Sequence, residues 1–404
     1  MPVGLSAPVE LSPVAGIRLG IASAGIKKPG RRDLVVMEIA AGATCVALFT
    51  RNAFCAAPVI IAREHLDTDT PCYLLINTGN ANAGTGASGL ENARRSCASL
   101  AQHAGCAARE VLPFSTGVIG EPLPVEKLEA AMPAALSALR ADAWIDAAHG
   151  IMTTDTLAKG ASRQVVIDGV TVTLTGIAKG AGMIRPDMAT MLSFIATDAA
   201  LPQPLLQRAL AQAVNASFNR ITVDGDTSTN DSCVLVATGA ARVSIETVGA
   251  EFDIFAAALT GLCIELAQAI VRDGEGATKF ITIEVAEGRD AQECLNVAYT
   301  IAHSPLVKTA LFASDPNWGR ILAAVGRAGV QDMVLERIRV QLGDVCIVSE
   351  GGRDPAYTEA AGQAVMNRAE ILIRVLLGRG DASERIWTTD LSYDYVKINA
   401  EYRT

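Results

Sequence analysis

Short runs of β-branched and apolar residues alternate with alanine-rich stretches along the whole chain, and that alternation commits it to a mixed α/β fold. Residues 34–40 (LVVMEIA), 47–50, 59–61 and 72–77 (CYLLIN) have the length and composition of strands. Helical spacing follows over 91–103 and 125–139. In residues 165–172, Asp168 and Gly169 stand between two β-rich arms, the strongest local signal for a hairpin. Alanine-rich helices are expected over 205–217 and 252–272, strands over 281–285 and 338–348, and a late helix over 360–377. Thirty-five glycines against 4% aromatic residues suit a packed α/β enzyme with many tight turns better than a helical bundle. At 404 residues the chain can bury a large core, its length alone suggests two or three domains, and it has no repeat or Pro/Gly/Ser-rich linker.

Charge and cysteine usage narrow the function. A net charge of −9 and no basic cluster beyond Lys27, Lys28, Arg31 and Arg32 argue against nucleic acid as a partner, since a phosphate backbone needs a basic face. The nine cysteines include no CxxC pair and the four histidines no HxxxH, so neither a metal nor a disulfide framework is expected. Buried thiols in a reducing cytoplasm are the simpler reading. The N-terminus lacks the basic and apolar regions of a signal peptide, and no uninterrupted apolar run of about 20 residues occurs, so no membrane span is expected.

Three segments imitate ligand-binding motifs and fail on spacing. Gly84, Gly86 and Gly89 match GxGxxG, but residues 78–83 separate them from the preceding strand, so a helix N-terminus would not meet a pyrophosphate. Residues 274–279 lack the GxxxxGK spacing of a phosphate loop. Residues 224–231 (DGDTSTND) begin like a calcium loop, but Thr229 replaces the required glycine and Leu235 the twelfth-position glutamate. A tight turn with internal side-chain hydrogen bonds fits that segment better.

Residues 179–192 (KGAGMIRPDMATML) carry a different chemistry. Gly180 and Gly182 permit an unusual path, Pro186 stiffens it, and Thr190 follows the small Ala189. A strained turn that presents a threonine hydroxyl to the preceding carbonyl permits an N-to-O acyl shift, and the ester then hydrolyses. The product is an N-terminal threonine whose α-amine, of pKa about 8 in model peptides, lies beside its own hydroxyl and serves as its base. The same residues also suit an ordinary structural loop, and the segment alone does not separate the two.

The segment resembles the self-cleavage motif of the ornithine acetyltransferase family, the bifunctional glutamate N-acetyltransferases of arginine biosynthesis. Further segments resemble the family in order along the chain: 77–82 (NTGNAN), 115–120 (STGVIG), 152–156 (MTTDT), 224–232, 273–279, 314–320 (SDPNWGR) and 399–404 (NAEYRT). The resemblance implies cleavage between Ala189 and Thr190, with Thr190 as nucleophile and acetyl carrier. It implies an oxyanion hole from Thr116 and Gly117, donors that commonly contribute about 3 kcal/mol to such a step. Thr153, Lys179, Thr190, Glu275, Asn399 and Thr404 match its substrate-binding positions. Judged singly, Glu275, Asn399 and Thr404 read as surface groups. Arg185 and Asp187 flank Pro186 where smaller or amide residues are common, a difference that bears on cleavage rate and leaves the nucleophile untouched.

The implied reaction is ping-pong transfer from N-acetylornithine to glutamate through acetyl-Thr190, with acetyl-coenzyme A as a second donor in some members. No resident cofactor and no metal are expected. The implied fold is α/β, in mixed layers resembling N-terminal-nucleophile hydrolases. Its implied chains are 1–189 and 190–404, two of each, held together in the cytoplasm. Two rivals remain: an uncut, non-catalytic binding protein with an inert Thr190, and an acyltransferase of secondary metabolism with another amine acceptor. A denaturing gel separates the first and acceptor profiling the second.

Overall fold

A computed structural model describes residues 2–185 and 191–401, which form two compact units. The larger comprises residues 7–219 and 226–270, the smaller residues 1–6, 220–225 and 271–404. Ala189, Thr190 and Thr404 lie outside the described residues.

The larger unit is built on two sheets. In chain order its elements are β1 (Ile17–Ala22), β2 (Leu34–Ile39), β3 (Thr44–Phe49), α1 (Ala57–Thr68), β4 (Tyr73–Asn80), α2 (Gly86–Ala104), β5 (Val111–Val118), α3 (Val125–Ser137) and α4 (Trp144–Gly150). There follow β6 (Lys159–Ile167), β7 (Val170–Lys179), β8 (Leu192–Thr197), α5 (Gln203–Ala216), β9 (Ser232–Ala237) and α6 (Ala250–Arg272). One sheet has the order β1-β2-β4-β5, the other β3-β9-β8-β7-β6. Their inner faces share one apolar core, in which Met37, Leu74 and Leu112 meet Ile177, Phe194 and Val234. At its centre the Phe114 and Phe194 rings pack edge to face, 5.1 Å apart. Helices α1, α2 and α3 cover the outer face of the first sheet through Ile61, Cys97, Leu100 and Met132. On the second, Leu262 and Leu266 of α6 lie over Gly176 and Ile195. This is the expected layered α/β sandwich. Burial on both sides explains why β8 and β9 have no polar face, with all twelve of their residues buried.

Helix α6 is long and apolar enough to cross a membrane by length and composition, although half of its apolar window is buried in the fold. The turn between β6 and β7 is the expected hairpin: Asp168 and Gly169 have φ of 51° and 76°, the two positive angles of a type I′ turn.

The smaller unit contains β10 (Phe280–Gly288), α7 (Ala291–Ala302), α8 (Pro305–Phe312), α9 (Trp318–Gly326), β11 (Arg339–Leu342), β12 (Val345–Ser349), β13 (Gly352–Arg353), α10 (Glu359–Met366), β14 (Glu370–Leu376), β15 (Ala382–Thr389) and α11 (Tyr393–Ala400). Its sheet runs β13-β12-β11-β14-β10-β15, with β10 parallel to β14 and antiparallel to β15. The core gathers Ile283, Val297, Leu311, Val340 and Ile373.

Three local expectations are corrected. Residues 59–61 belong to helix α1, where Pro58 occupies the first turn and Val59 and Ile61 bury the inward stripe. Residues 338–348 are a hairpin of two strands, not one. The late helix ends at Met366, and residues 370–376 become β14, whose exposed-buried-intermediate sequence follows the two-residue period of a strand. The expected division at 189/190 is a covalent one and does not coincide with the compact units: β7 precedes residue 189, β8 and β9 follow residue 190, and all three lie in one sheet.

Candidate active site

Parallel strands β4 and β5 end together, with Asn77 opposite Ser115, Thr78 opposite Thr116 and Gly79 opposite Gly117. Asparagines fasten this end. Asn77 accepts from Ser115 Oγ at 2.6 Å and donates to the Asn80 carbonyl at 2.9 Å. The Asn80 side chain accepts the Asn82 N–H at 2.7 Å, and Asn230 Nδ2 donates to the carbonyls of Ala81 and Ser115. The NTGNAN run is therefore scaffolding for the loop after β4. Gly117, with φ of 136°, lies so close to β4 that a Cβ would fall 2.3 Å from the Gly79 carbonyl carbon.

Thr116, at the tip of β5, is buried, and its Oγ1 accepts from Lys179 Nζ at 2.9 Å. Lys179 is the last residue of β7 and pairs with Leu192, the first of β8. The segment 180–191 thus leaves and re-enters the sheet at neighbouring positions. Its leading end is held by the Gly180 N–H, which donates to Asp155 Oδ1 at 2.7 Å. At its far end the Met191 carbonyl accepts the Ser232 N–H at 3.0 Å, and the Met191 N–H donates to the Asp231 carboxyl. The Thr153 N–H donates to Asp155 Oδ2 at 2.9 Å, and its carbonyl accepts from Arg31.

Two buried carboxyls therefore face Lys179 with opposite electrostatics. Burial alone would raise Asp155, but the ammonium groups of Lys159 and Lys179, with the Thr153 N–H, hold it well below the usual carboxylate range. Burial dominates at Asp231 and pushes it well up, against the bonds from Ser228 and the charge of Lys179. Around it the turn is closed by its own side chains, as expected: Thr229 Oγ1 donates to Asn230 Oδ1 at 2.6 Å and the Asn230 N–H to Ser228 Oγ at 3.1 Å.

In the smaller unit the buried Glu275 accepts from Asn399 Nδ2 at 2.9 Å. Gly276, with φ of 67°, brings its loop against α11, where a Cβ would meet the Tyr395 nitrogen at 2.4 Å. The Gly276 carbonyl accepts from Ser392 Oγ, and Asp390 accepts from the N–H groups of Thr278 and Lys279. Glu275, which singly reads as a surface group, is buried beside α11, and Asn399, exposed on that helix, is its partner.

The structure thus joins Thr116 to Lys179, places Gly117 beside Thr116 and Thr153 beside Asp155, and joins Glu275 to Asn399. Ala189, Thr190 and Thr404 are outside the described residues. Sequence reasoning assigned no role to Asp155, Lys159, Ser228 or Asp231. Only the i,i+4 spacing of Asp155 and Lys159 hints at a pair. Among the described residues Cys72, Cys106 and Glu110 bring ligand-type atoms within 4.8 Å of one another. Glu110 already accepts the Ala107 N–H, Cys72 donates to the Glu110 carbonyl, and burial raises both thiols, Cys72 to about 12. Protonated thiols make this a poor cation site.

The profile of the ArgJ family matches residues 18–404. The arginine biosynthesis bifunctional protein ArgJ of Pseudomonas syringae pv. tomato is 63% identical over 406 residues, covering all of both chains. The protein of the same name from Pseudomonas fluorescens is 63% identical over 407 residues, with equal coverage. Among solved structures, an ornithine acetyltransferase complexed with ornithine from Mycobacterium tuberculosis is 32% identical, covers 44% of this chain and 93% of its own, and superposes with a TM-score of 0.38.

Proposed function

The chain belongs to the ArgJ family, and we propose that it matures by cleavage between Ala189 and Thr190 and carries acetyl on the new N-terminal Thr190. It is a bifunctional acetyltransferase of arginine biosynthesis. In maturation the Thr190 hydroxyl adds to the Ala189 carbonyl, its proton passes to the Thr190 nitrogen as the C–N bond breaks, and the resulting ester, with the α-amine already free, is hydrolysed by water to the Ala189 carboxylate and the Thr190 hydroxyl. In transfer that amine takes the hydroxyl proton while Oγ attacks the acetyl carbonyl of N-acetylornithine. Ornithine leaves with the proton, and the glutamate amine then takes the acetyl group from the ester. Acetyl-coenzyme A is a second donor through the same ester.

The observation that carries this reading is the 2.9 Å bond from Lys179 Nζ to Thr116 Oγ1, made where β7 passes into the segment containing Ala189 and Thr190. A hydroxyl that accepts from an ammonium turns its own proton elsewhere, and a positive charge behind it favours a developing oxyanion. Thr116 and Gly117 are the oxyanion donors, Lys179 and Thr153 serve the substrate side, and Glu275 with Asn399 and Thr404 holds the ornithine end. Thr116→Ala is expected to lower kcat by about 100-fold with little change in KM. Steady-state kinetics test it: a raised KM at unchanged kcat would make Thr116 a binding residue.

Glu275 is the anion suited to ornithine's extra ammonium, and a charge-assisted hydrogen bond contributes about 1.5–3 kcal/mol. Glu275→Gln should therefore lower kcat/KM for N-acetylornithine by roughly 10- to 100-fold, and less for a donor lacking the ammonium. Pre-steady-state acetylation of Thr190 isolates that half-reaction. Equal losses for both donors would reduce Glu275 to a structural role. Chains 1–189 and 190–404 stay associated, two of each, in the cytoplasm. Their association is supported by the sheet in which β7 neighbours β8.

A further inference from the structure

Asp155 is a carboxylate of the larger unit that accepts three hydrogen bonds. Its Oδ1 accepts from Lys159 Nζ at 2.6 Å and from the Gly180 N–H at 2.7 Å, and its Oδ2 accepts from the Thr153 N–H at 2.9 Å. The side chains of Asp155 and Lys159 have no solvent exposure. Taking such a pair out of water is expensive, and apolar residues of similar volume commonly serve stability as well or better. What apolar residues would not supply here is two directed bonds to backbone N–H groups on separate segments. One segment carries Thr153, the other turns at Gly180 directly after Lys179.

Gly180 has φ of 155°, and glycine by itself does little to fix the 179–180 peptide. The bond to Asp155 supplies that restraint. From the restrained corner Lys179 reaches Thr116 Oγ1, and so sets the direction of the Thr116 O–H. The charges agree with this: the ammonium groups of Lys159 and Lys179 offset the burial of Asp155 and hold it well below the usual carboxylate range, so it accepts these bonds as a carboxylate.

We propose that Asp155 is a positioning residue for acyl transfer, acting through the Lys179–Gly180 corner to aim the Thr116 hydroxyl at the oxyanion. The inference rests on the reading of Thr116 as an oxyanion donor. Asp155 touches no reacting atom in this scheme. Its effect must pass through Thr116, and a double-mutant cycle detects that dependence.

The cycle compares wild type, Asp155→Asn, Thr116→Ala and the double variant, with kcat counted per cleaved chain and folding checked by thermal melting. Asp155→Asn is expected to lower kcat roughly 10- to 100-fold, since small misplacement of a catalytic group has effects of that size. In the Thr116→Ala background it should lower kcat no further. Losses that multiply would overturn the positioning role while leaving Thr116 as oxyanion donor. An unchanged kcat in Thr116→Ala alone would instead overturn the reading of Thr116. Should Asp155→Asn fail to fold because Lys159 is stranded, Asp155→Asn/Lys159→Met enters the same cycle in its place. Failure of both to fold would assign Asp155 to stability and overturn the inference.

Discussion

Replacing Thr190 with alanine is expected to leave a single uncut chain that transfers no acetyl group. The two failures have one cause, because the same hydroxyl makes the ester that breaks the chain and the ester that carries acetyl. Removing a nucleophile of this kind has lowered turnover by on the order of 10⁶-fold in a serine enzyme, which here is below detection. Thr190→Ser keeps a hydroxyl on the same backbone, and should still be cut and still transfer. Denaturing electrophoresis and a transfer assay check both variants together. An uncut Thr190→Ala chain with near-native activity would remove Thr190 from the mechanism. A cut Thr190→Ala chain would move the maturation chemistry to another group.

The second large effect is expected at Gly117. A Cβ there would fall 2.3 Å from the Gly79 carbonyl carbon and 2.5 Å from the Asn80 nitrogen, both backbone atoms of the neighbouring strand. Neither can swing aside as a side chain would, so the ends of β4 and β5 must part and carry Thr116 with them. Gly117→Ala should therefore lower kcat by roughly 100-fold or more and stability by about 1–3 kcal/mol. Gly120→Ala separates the clash from backbone strain. Gly120 also has positive φ, 82°, but no atom lies within 4 Å of its would-be Cβ. Its loss should be confined to about 1–2 kcal/mol of stability, with kcat nearly unchanged. Kinetics and thermal melting of the two variants check the contrast, and equal kcat losses would show that strain, not the approach to β4, governs Gly117.

Local turn chemistry was legible in the sequence where it is dictated by one or two residues. Asp168 and Gly169 specify a hairpin because few other pairs tolerate positive φ at both positions. The run 224–231 was readable as a self-bonded turn for a similar reason. Residues 59–61 misled because β-branching lowers helix propensity by only tenths of a kcal/mol, less than burial of an inward stripe returns. Residues 370–376 misled because pairing with β10, ninety residues earlier in the register, overrides any local preference.

Thr116, Gly117, Lys179 and Glu275 were nominated through resemblance alone, since a threonine or glutamate looks alike on a surface or in a pocket. Asp155 was missed for a deeper reason. Its importance lies in three partners, two of them backbone N–H groups, and backbone groups leave no mark in a sequence. The interleaved units were equally hidden: residues 220–225 join a unit that otherwise begins again at 271.

The central claim is that Thr190 is both the new N-terminus and the acetyl carrier. Intact mass of the purified protein, before and after incubation with N-acetylornithine, tests it most directly. Two species are expected, one ending at Ala189 and one beginning at Thr190. The second alone should gain the mass of one acetyl group, and lose it again when glutamate is added. A single uncut species from active enzyme, or an acetyl group on the chain ending at Ala189, would contradict the account.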